Sequence, residues 1–496
     1  MGKRLMMLAV AVLALAIAMP AFAAVQNVKV GGDLTVKALD RYNFALGSTD
    51  VTGSGGHQNL ILSIARLRVD AELTDNVSAV IRLLNERRWD TEDAANTDVT
   101  LDLAYVTLKE FLYSPLTASI GRQELHFGND LVIGDVDTNG VASAASDLMA
   151  GTGGGTLTDV ADLSARKAFD AIRATLNYTV SDQPLAVDLV YAKIAENTTN
   201  IDDDVNLYGV NANYVVNDDL LAEAYAWARE RRPRVGGTVS DTITAGQEYR
   251  KLEPERLTTF GTRGVYTGVE NLTLQGEYAL QLGNKYMDSS ALPNLVTVNG
   301  NAANPFGYRV EDELVRHEAW ALQLIASYAL KDVRHNPVLG ASYTHLSGEN
   351  PSTCSGGQGT KWNGWDAMYE NQATGTIWNK LLGFSNVDLF NVNGSLKPDF
   401  VDDLTVLANW YHILLDKPLH SGDTAQAILT GIAGGQSYVI GNDKHLGDEI
   451  DVDLIYDYTE DVQLGLNLGV FLPGDAFNSV NKDAATQAIA SMKVAF

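Results

Sequence analysis

The sequence predicts an all-β fold: a transmembrane antiparallel β-barrel of about 18 strands, with short periplasmic turns and long extracellular loops. Three observations carry that expectation. Segments of roughly 10 to 15 residues that alternate apolar and polar side chains recur along the chain. The connections between them alternate short and long, and the chain opens on a secretory leader.

The leader comes first. Lys3 and Arg4 precede an apolar run from Leu5 to Met19, then Pro20 and the small-residue site Ala21-Phe22-Ala23. That order is a signal peptide over residues 1–23, leaving 24–496 as a single barrel domain. No later segment has the roughly 18 uninterrupted apolar residues of a spanning helix, so any crossing of a membrane is made by strands.

The strand segments follow in order. Asn27–Tyr42 is the first, and in the second, Gln58–Leu73, Leu67, Val69, Ala71 and Leu73 oppose Arg66, Arg68, Asp70 and Glu72. In Val77–Trp89, Ile81 and Leu83 oppose Arg82, Glu86 and Arg88. Further segments are expected at Val99–Phe111, Thr117–Gly128, Arg166–Val180, Pro184–Ala195, Val205–Val216, Asp219–Arg232, Arg256–Val269, Asn271–Gly283 and Val315–Leu330. Pro337–Ser347, Phe390–Pro398, Leu404–Leu415, Lys444–Thr459, Asp461–Leu472 and Ala484–Phe496 complete the set. The hairpin Glu449–Gly474 shows the pattern most plainly. Ile450, Val452, Leu454, Tyr456 and Tyr458 share one face, while Glu449, Asp451, Asp453 and Asp457 share the other.

Tight turns, such as Ser181–Gln183, Asn217–Asp218 and Glu460–Asp461, would lie on one rim. Long loops, such as Asn129–Ser164, Gly348–Leu389 and Asp416–Asp443, would lie on the other. A soluble sandwich has no reason to segregate its connections in this way, whereas outer-membrane barrels do. Closure also removes the sheet edges whose unpaired backbone groups are costly in hydrocarbon. The chain ends on SMKVAF, a last strand with Val494 and the terminal Phe496 on one face.

The formal charge is −26, and two units more negative once Lys3 and Arg4 leave with the leader. Such a surface argues against nucleic acid, whose phosphates need neutralising. A lone cysteine, Cys354, gives neither a disulfide framework nor a CxxCH haem attachment site.

Three stretches resemble the alginate export protein family. They are GRQELHFG (Gly121–Gly128) with FDAIRATLNY (Phe169–Tyr178), WDAMYENQATG (Trp365–Gly375) with GFSNVDLFNVNGSLKP (Gly383–Pro398), and the hairpin Glu449–Gly474. The resemblance implies a monomeric outer-membrane barrel and a channel in the bacterial outer membrane. Passive diffusion or export of polar or anionic solutes, an anionic polysaccharide among them, would be its function. The loops and the mixed charge depart from the strongly basic lumen that a polyuronate channel would be expected to have.

On that reading the polar faces line the pore: Arg66, Arg68, Arg82, Arg122, Glu124, Arg173, Glu223, Arg229, Arg263, Glu277, Asp451 and Asp453. Arginine's fork of donors suits carboxylates and phosphates, so a wall of arginines facing carboxylates would select anionic or polar solutes. The competing expectation is that these charges pair with one another and only narrow the pore. Arg122 and Arg173 stand out as selectivity candidates because their motifs carry the resemblance.

DVDTNG, with Asp135, Asp137 and Asn139, has the start of a calcium loop but Ser146 where a bidentate Glu would close it. No other cofactor is expected. Lipid and lipopolysaccharide, the latter bridged by divalent ions to loop acids such as Asp202–Asp204, are expected partners, with periplasmic or extracellular proteins also open. Two other classes remain at this point. One is a sheath for an outer-membrane cytochrome conduit; the other is a hydrolase drawing on His412, His420, His445, Ser421 and Asp423.

Overall fold

The computed structural model describes residues 27–44, 46–47, 57–89, 99–136, 161–196, 204–232, 254–286, 314–349, 361–372, 374–381, 383–418, 443–479 and 481–496. The leader, Cys354, Asp137, Asn139, Asp202, His420, Ser421 and Asp423 lie outside these residues.

In chain order the strands are β1 (Asn27–Tyr42), β2 (Gln58–Thr74), β3 (Val77–Arg88), β4 (Thr100–Leu108), β5 (Leu116–Glu124) and β6 (Ala168–Val180). Then come β7 (Gln183–Ala195), β8 (Val205–Asn217), β9 (Leu220–Arg231), β10 (Glu255–Val269), β11 (Leu272–Tyr286), β12 (Leu314–Ala329) and β13 (Val338–Leu346). The last are β14 (Lys361–Trp362), β15 (Val387–Leu396), β16 (Leu404–Leu415), β17 (His445–Asp457), β18 (Val462–Pro473) and β19 (Ala485–Ala495). β14 is a two-residue parallel addition to β12, so the wall is a closed antiparallel barrel of 18 strands.

Each strand pairs with its neighbours in sequence, and β1 pairs with β19 from Asp33↔Ala495 to Tyr42↔Thr486. At this seam Gly32 N donates to Phe496 O (2.9 Å), and Phe496 N donates to Gly32 O (3.0 Å). A Cβ on Gly32 would sit 2.8 Å from the Phe496 ring, so only glycine leaves the terminal aromatic its place.

The alternation works as the sequence leads one to expect on the outward face. Ile81, Leu189, Val210, Phe260, Leu324, Val392, Ile450, Leu464 and Leu468 are exposed there. With no water in hydrocarbon to satisfy backbone groups, this continuous ladder beneath an apolar surface is one of the few ways to span a bilayer. The expected strand Thr117–Gly128 stops at Glu124, and Phe390–Pro398 starts instead at Val387. Both differences arise where a long connection leaves the rim and turns inward.

Candidate functional site

The site is the lumen, and three segments of the long connections fold into the half of it that lies on the long-loop side. They are residues 125–136 after β5, residues 161–167 before β6, and residues 361–372, 374–381 and 383–386 between β13 and β15. Apolar side chains explain the inward turn. Leu125, Phe127, Leu131, Val132, Ile133, Trp365, Met368, Tyr369, Ile377 and Trp378 are buried in one cluster with wall residues such as Trp227, Leu257, Ile413 and Phe471. Phe127 packs tilted against Trp227, with ring centroids 4.7 Å apart, and the Trp227 ring occupies the space that a side chain at Gly209 would fill.

Two of the segments are joined by backbone hydrogen bonds. Tyr369 N donates to Val132 O (3.0 Å), Gly134 N and Asp135 N donate to Tyr369 O (2.7 and 2.9 Å), and Asn371 N donates to Asp130 O (2.9 Å). The result is a plug whose regular structure amounts to little more than one short helix, α1 (Trp378–Leu381).

Charged wall residues hold the plug. Arg229 is buried and grips Asp366 with both terminal nitrogens (3.0 and 2.6 Å). Gln281 exchanges two hydrogen bonds with the Asp366 backbone (2.7 and 2.9 Å). Burial opposes ionisation of Asp366, but the Arg229 guanidinium outweighs it and holds the carboxyl well below the usual carboxylate range. Glu449, fully buried, accepts from Thr376 N (2.5 Å), Ile377 N (2.9 Å) and Trp378 N (2.6 Å), the free amides at the start of α1. Asp451 accepts from Thr376 Oγ1 at 2.8 Å. The acidic face of the β17–β18 hairpin is therefore a mooring for the 361–386 segment.

Along the same row of the wall, across β18 and β19 from Asp451, Arg41 ties Asp162 (2.5 Å), with Gln487 as a second partner (2.6 Å). Asp162 stays below the ordinary carboxylate range because the Arg41 charge overcomes the effect of burial. Glu86 accepts from Ser164 Oγ (2.8 Å) and Ala165 N (2.6 Å).

The remaining expected pore residues fall as follows. Arg66 is bound to Asp33 (2.9 Å) and Arg68 to Asp70 (2.8 Å). Arg82 bridges Asp102 and Glu124, each at 2.5 Å. Arg173 binds Asp188 (2.7 Å) and lies over the Phe127 ring. Arg263 binds Glu223 (2.9 Å) and Gln275 (3.1 Å), Glu277 accepts from Tyr225 (2.7 Å), and Asp453 accepts from Asn467 (2.7 Å).

Arg122 departs from its expected place. It reaches Asp170 (3.2 Å), which is mostly exposed and sits between the inward Phe169 and Ala171, in the same rank as outward Ile120 and Ile172. The strand period that puts Arg173 in the lumen puts Asp170, three residues earlier, outside. Asp135, the first residue of the expected calcium loop, is drawn inward and lies 3.4 Å from Lys167.

A cavity of about 260 Å³ remains between plug and wall, lined by charged and polar side chains such as Asp162, Lys167, Glu370, Lys380, Asp453 and Gln487 and by apolar ones such as Leu163, Phe384 and Ile489. Lys167 donates to Asn371 (2.5 Å). Lys380 makes no ion pair among the described residues, although its charge acts on both Asp162 and Glu370. Burial pushes the Glu370 carboxyl up to about 7. Sequence reading missed Arg41, Lys167, Asp366 and Lys380. Arg41 was hidden because Leu39 shares its inward face, Lys167 was taken into the expected strand Arg166–Val180, which begins only at Ala168, and the other two lie in loops with no period to read.

A family model described as alginate export matches residues 30–491. No curated protein matches the chain in sequence. Among solved structures, OccK2 (OpdF) of Pseudomonas aeruginosa, in complex with glucuronate, aligns at a TM-score of 0.50 and 11% identity, over 95% of this chain and 99% of that one. OccAB2 of Acinetobacter baumannii aligns at 0.51 and 11%, over 96% and 99%. OccD3 (OpdP) of Pseudomonas aeruginosa aligns at 0.50 and 10%, over 96% and 93%. At these identities the likeness is one of fold.

Proposed function

The chain belongs to the alginate export family, and from that premise we propose that it is an outer-membrane channel passing small polar or anionic solutes by diffusion around an internal plug. The observation that carries this reading is the cavity beside the plug, where Lys167 and Lys380 stand among the carboxyls of Asp135, Asp162, Glu370 and Asp453. Its volume of about 260 Å³ lies just under the roughly 300 Å³ where ligand pockets begin, room for a single sugar acid rather than a polymer chain. Glucuronate, with which OccK2 forms its complex, is a solute of that class. A polysaccharide would require the plug to leave the lumen.

The arginines expected to select solutes instead hold protein carboxylates. That supports the view that they shape the pore, and leaves Lys380, which makes no ion pair among the described residues, as the cation for a solute carboxylate. A sheath around a cytochrome would need a lumen emptied of the in-folded segments, so the packed interior favours the channel.

Planar-bilayer recording of the purified protein, paired with liposome swelling in uronates, neutral sugars and small acids, tests the proposal. Stepwise conductance, with uronates swelling liposomes faster than neutral sugars of equal size, is expected. A silent barrel impermeable to every solute would overturn it.

A further inference from the structure

We propose that His412, His445 and Asp448 form a zinc site on the outside of the barrel, at the extracellular rim. His412 and Asp448 stand directly opposite each other in the β16–β17 ladder. They lie two residues beyond Trp410 and Ile450, a cross-strand pair that is exposed on the outward face. His445 is the first residue of β17, and its ring faces His412 at a centroid distance of 5.0 Å.

The three residues each offer one ligand atom, and all of these lie within 4.8 Å of one another. One oxygen of Asp448 is 2.9 Å from His412 Nδ1, and the other is 3.1 Å from His445 Nε2. Tetrahedral zinc with bonds of about 2.0–2.1 Å has ligand-to-ligand edges of roughly 3.3 Å, so the carboxylate–imidazole distances would spread by a few tenths of an ångström, while the widest separation, held within 4.8 Å, would close by at most about 1.5 Å through side-chain rotation. Zinc would take the place of the protons that now join carboxylate to imidazoles. Two imidazoles and a carboxylate are a ligand set that suits zinc, with a fourth position left for water or another oxygen donor.

The surroundings fit a built site. Trp410 Nε1 lies 3.2 Å from Asp448 Oδ1 and would orient the carboxylate from outside the ligand set. A Cβ on Gly474 would stand 2.7 Å from His445 Nδ1, so glycine leaves the ring its room. The two histidine side chains are each 34% exposed, which gives an ion a path in from the aqueous side. Bound zinc would staple β16 to β17 where the 416–443 connection leaves the wall.

The test uses tag-free protein in detergent, titrated with zinc chloride by calorimetry, and cobalt(II) as a spectroscopic substitute. One equivalent of zinc should bind, with affinity at least 100-fold weaker in His412→Ala and His445→Ala and about tenfold weaker in Asp448→Asn. Cobalt should show the intense visible bands of a four-coordinate site, a readout that needs no variant. Absence of saturable zinc uptake, a six-coordinate cobalt spectrum, or equal affinity in folded variants would each overturn the proposal.

Discussion

The wall and the plug are built by different rules. In the wall, every strand is hydrogen-bonded on both sides, and the outward face is a repeat in which one apolar residue can stand for another. In the plug, the described residues between 361 and 386 hold only a two-residue strand and a four-residue helix, too short to persist unaided. Their position depends on the buried apolar cluster around Trp365, Met368, Tyr369 and Trp378 and on a few charged contacts: Arg229 with Asp366, Glu449 with three amides, and Arg41 with Asp162. The wall is specified by a distributed pattern, while the plug is specified by individual residues. Substitutions should therefore be nearly silent in one and decisive in the other.

The sharpest way to break that contrast is Arg229→Ala. Asp366 would be left buried without its cation, and breaking such a pair costs about 3–5 kcal/mol. Release of the plug should raise single-channel conductance several-fold with the barrel intact, and unchanged conductance would show the mooring to be dispensable. Glu449→Gln comes next. Exchanging a carboxylate for an amide at three N–H donors should cost about 1–3 kcal/mol, seen as faster current flicker rather than full opening.

A third effect depends on pH. The Glu370 carboxyl is pushed up by burial to about 7, so packing of the plug takes up a proton. That advantage is complete below the ordinary carboxylate range and is lost as pH climbs through 7. Open probability should thus rise between pH 6 and 8, and Glu370→Gln should flatten the profile; an identical profile in the variant would refute the assignment. Lys380→Gln should move the reversal potential in a salt gradient toward cations by a few millivolts, with conductance unchanged. Smallest of all, Leu468→Ala on the outward face should stay within about 0.5 kcal/mol of the parent, and Arg122→Ala should leave ion selectivity untouched. A selectivity change in Arg122→Ala would return that residue to the lumen.

The same division sets what could be read in the sequence. The barrel was legible because its period of two is repeated in every strand, and because the alternation of short and long connections is a property of the whole chain. Even the hairpin Glu449–Gly474, with its acidic face inward, could be placed from Ile450, Val452 and Leu454 alone. The partners of that acidic face could not. Glu449 meets Thr376, Ile377 and Trp378 more than seventy residues away, and no local pattern joins them. Inward apolar residues such as Leu39, Trp227 and Phe471 also blurred the strand tops, because there the lumen is a packed core rather than water.

The seam between β1 and β19 bears on how the molecule is made. It joins Asp33 to Ala495, a contact separated by nearly the whole chain, and contacts of such long span form slowly. Until β19 arrives, β1 carries an open edge able to pair with any other strand it meets. A larger residue at position 32 would collide with both the Phe496 ring and the Arg66 backbone oxygen across β2, and should therefore trap open, aggregation-prone chains at this seam.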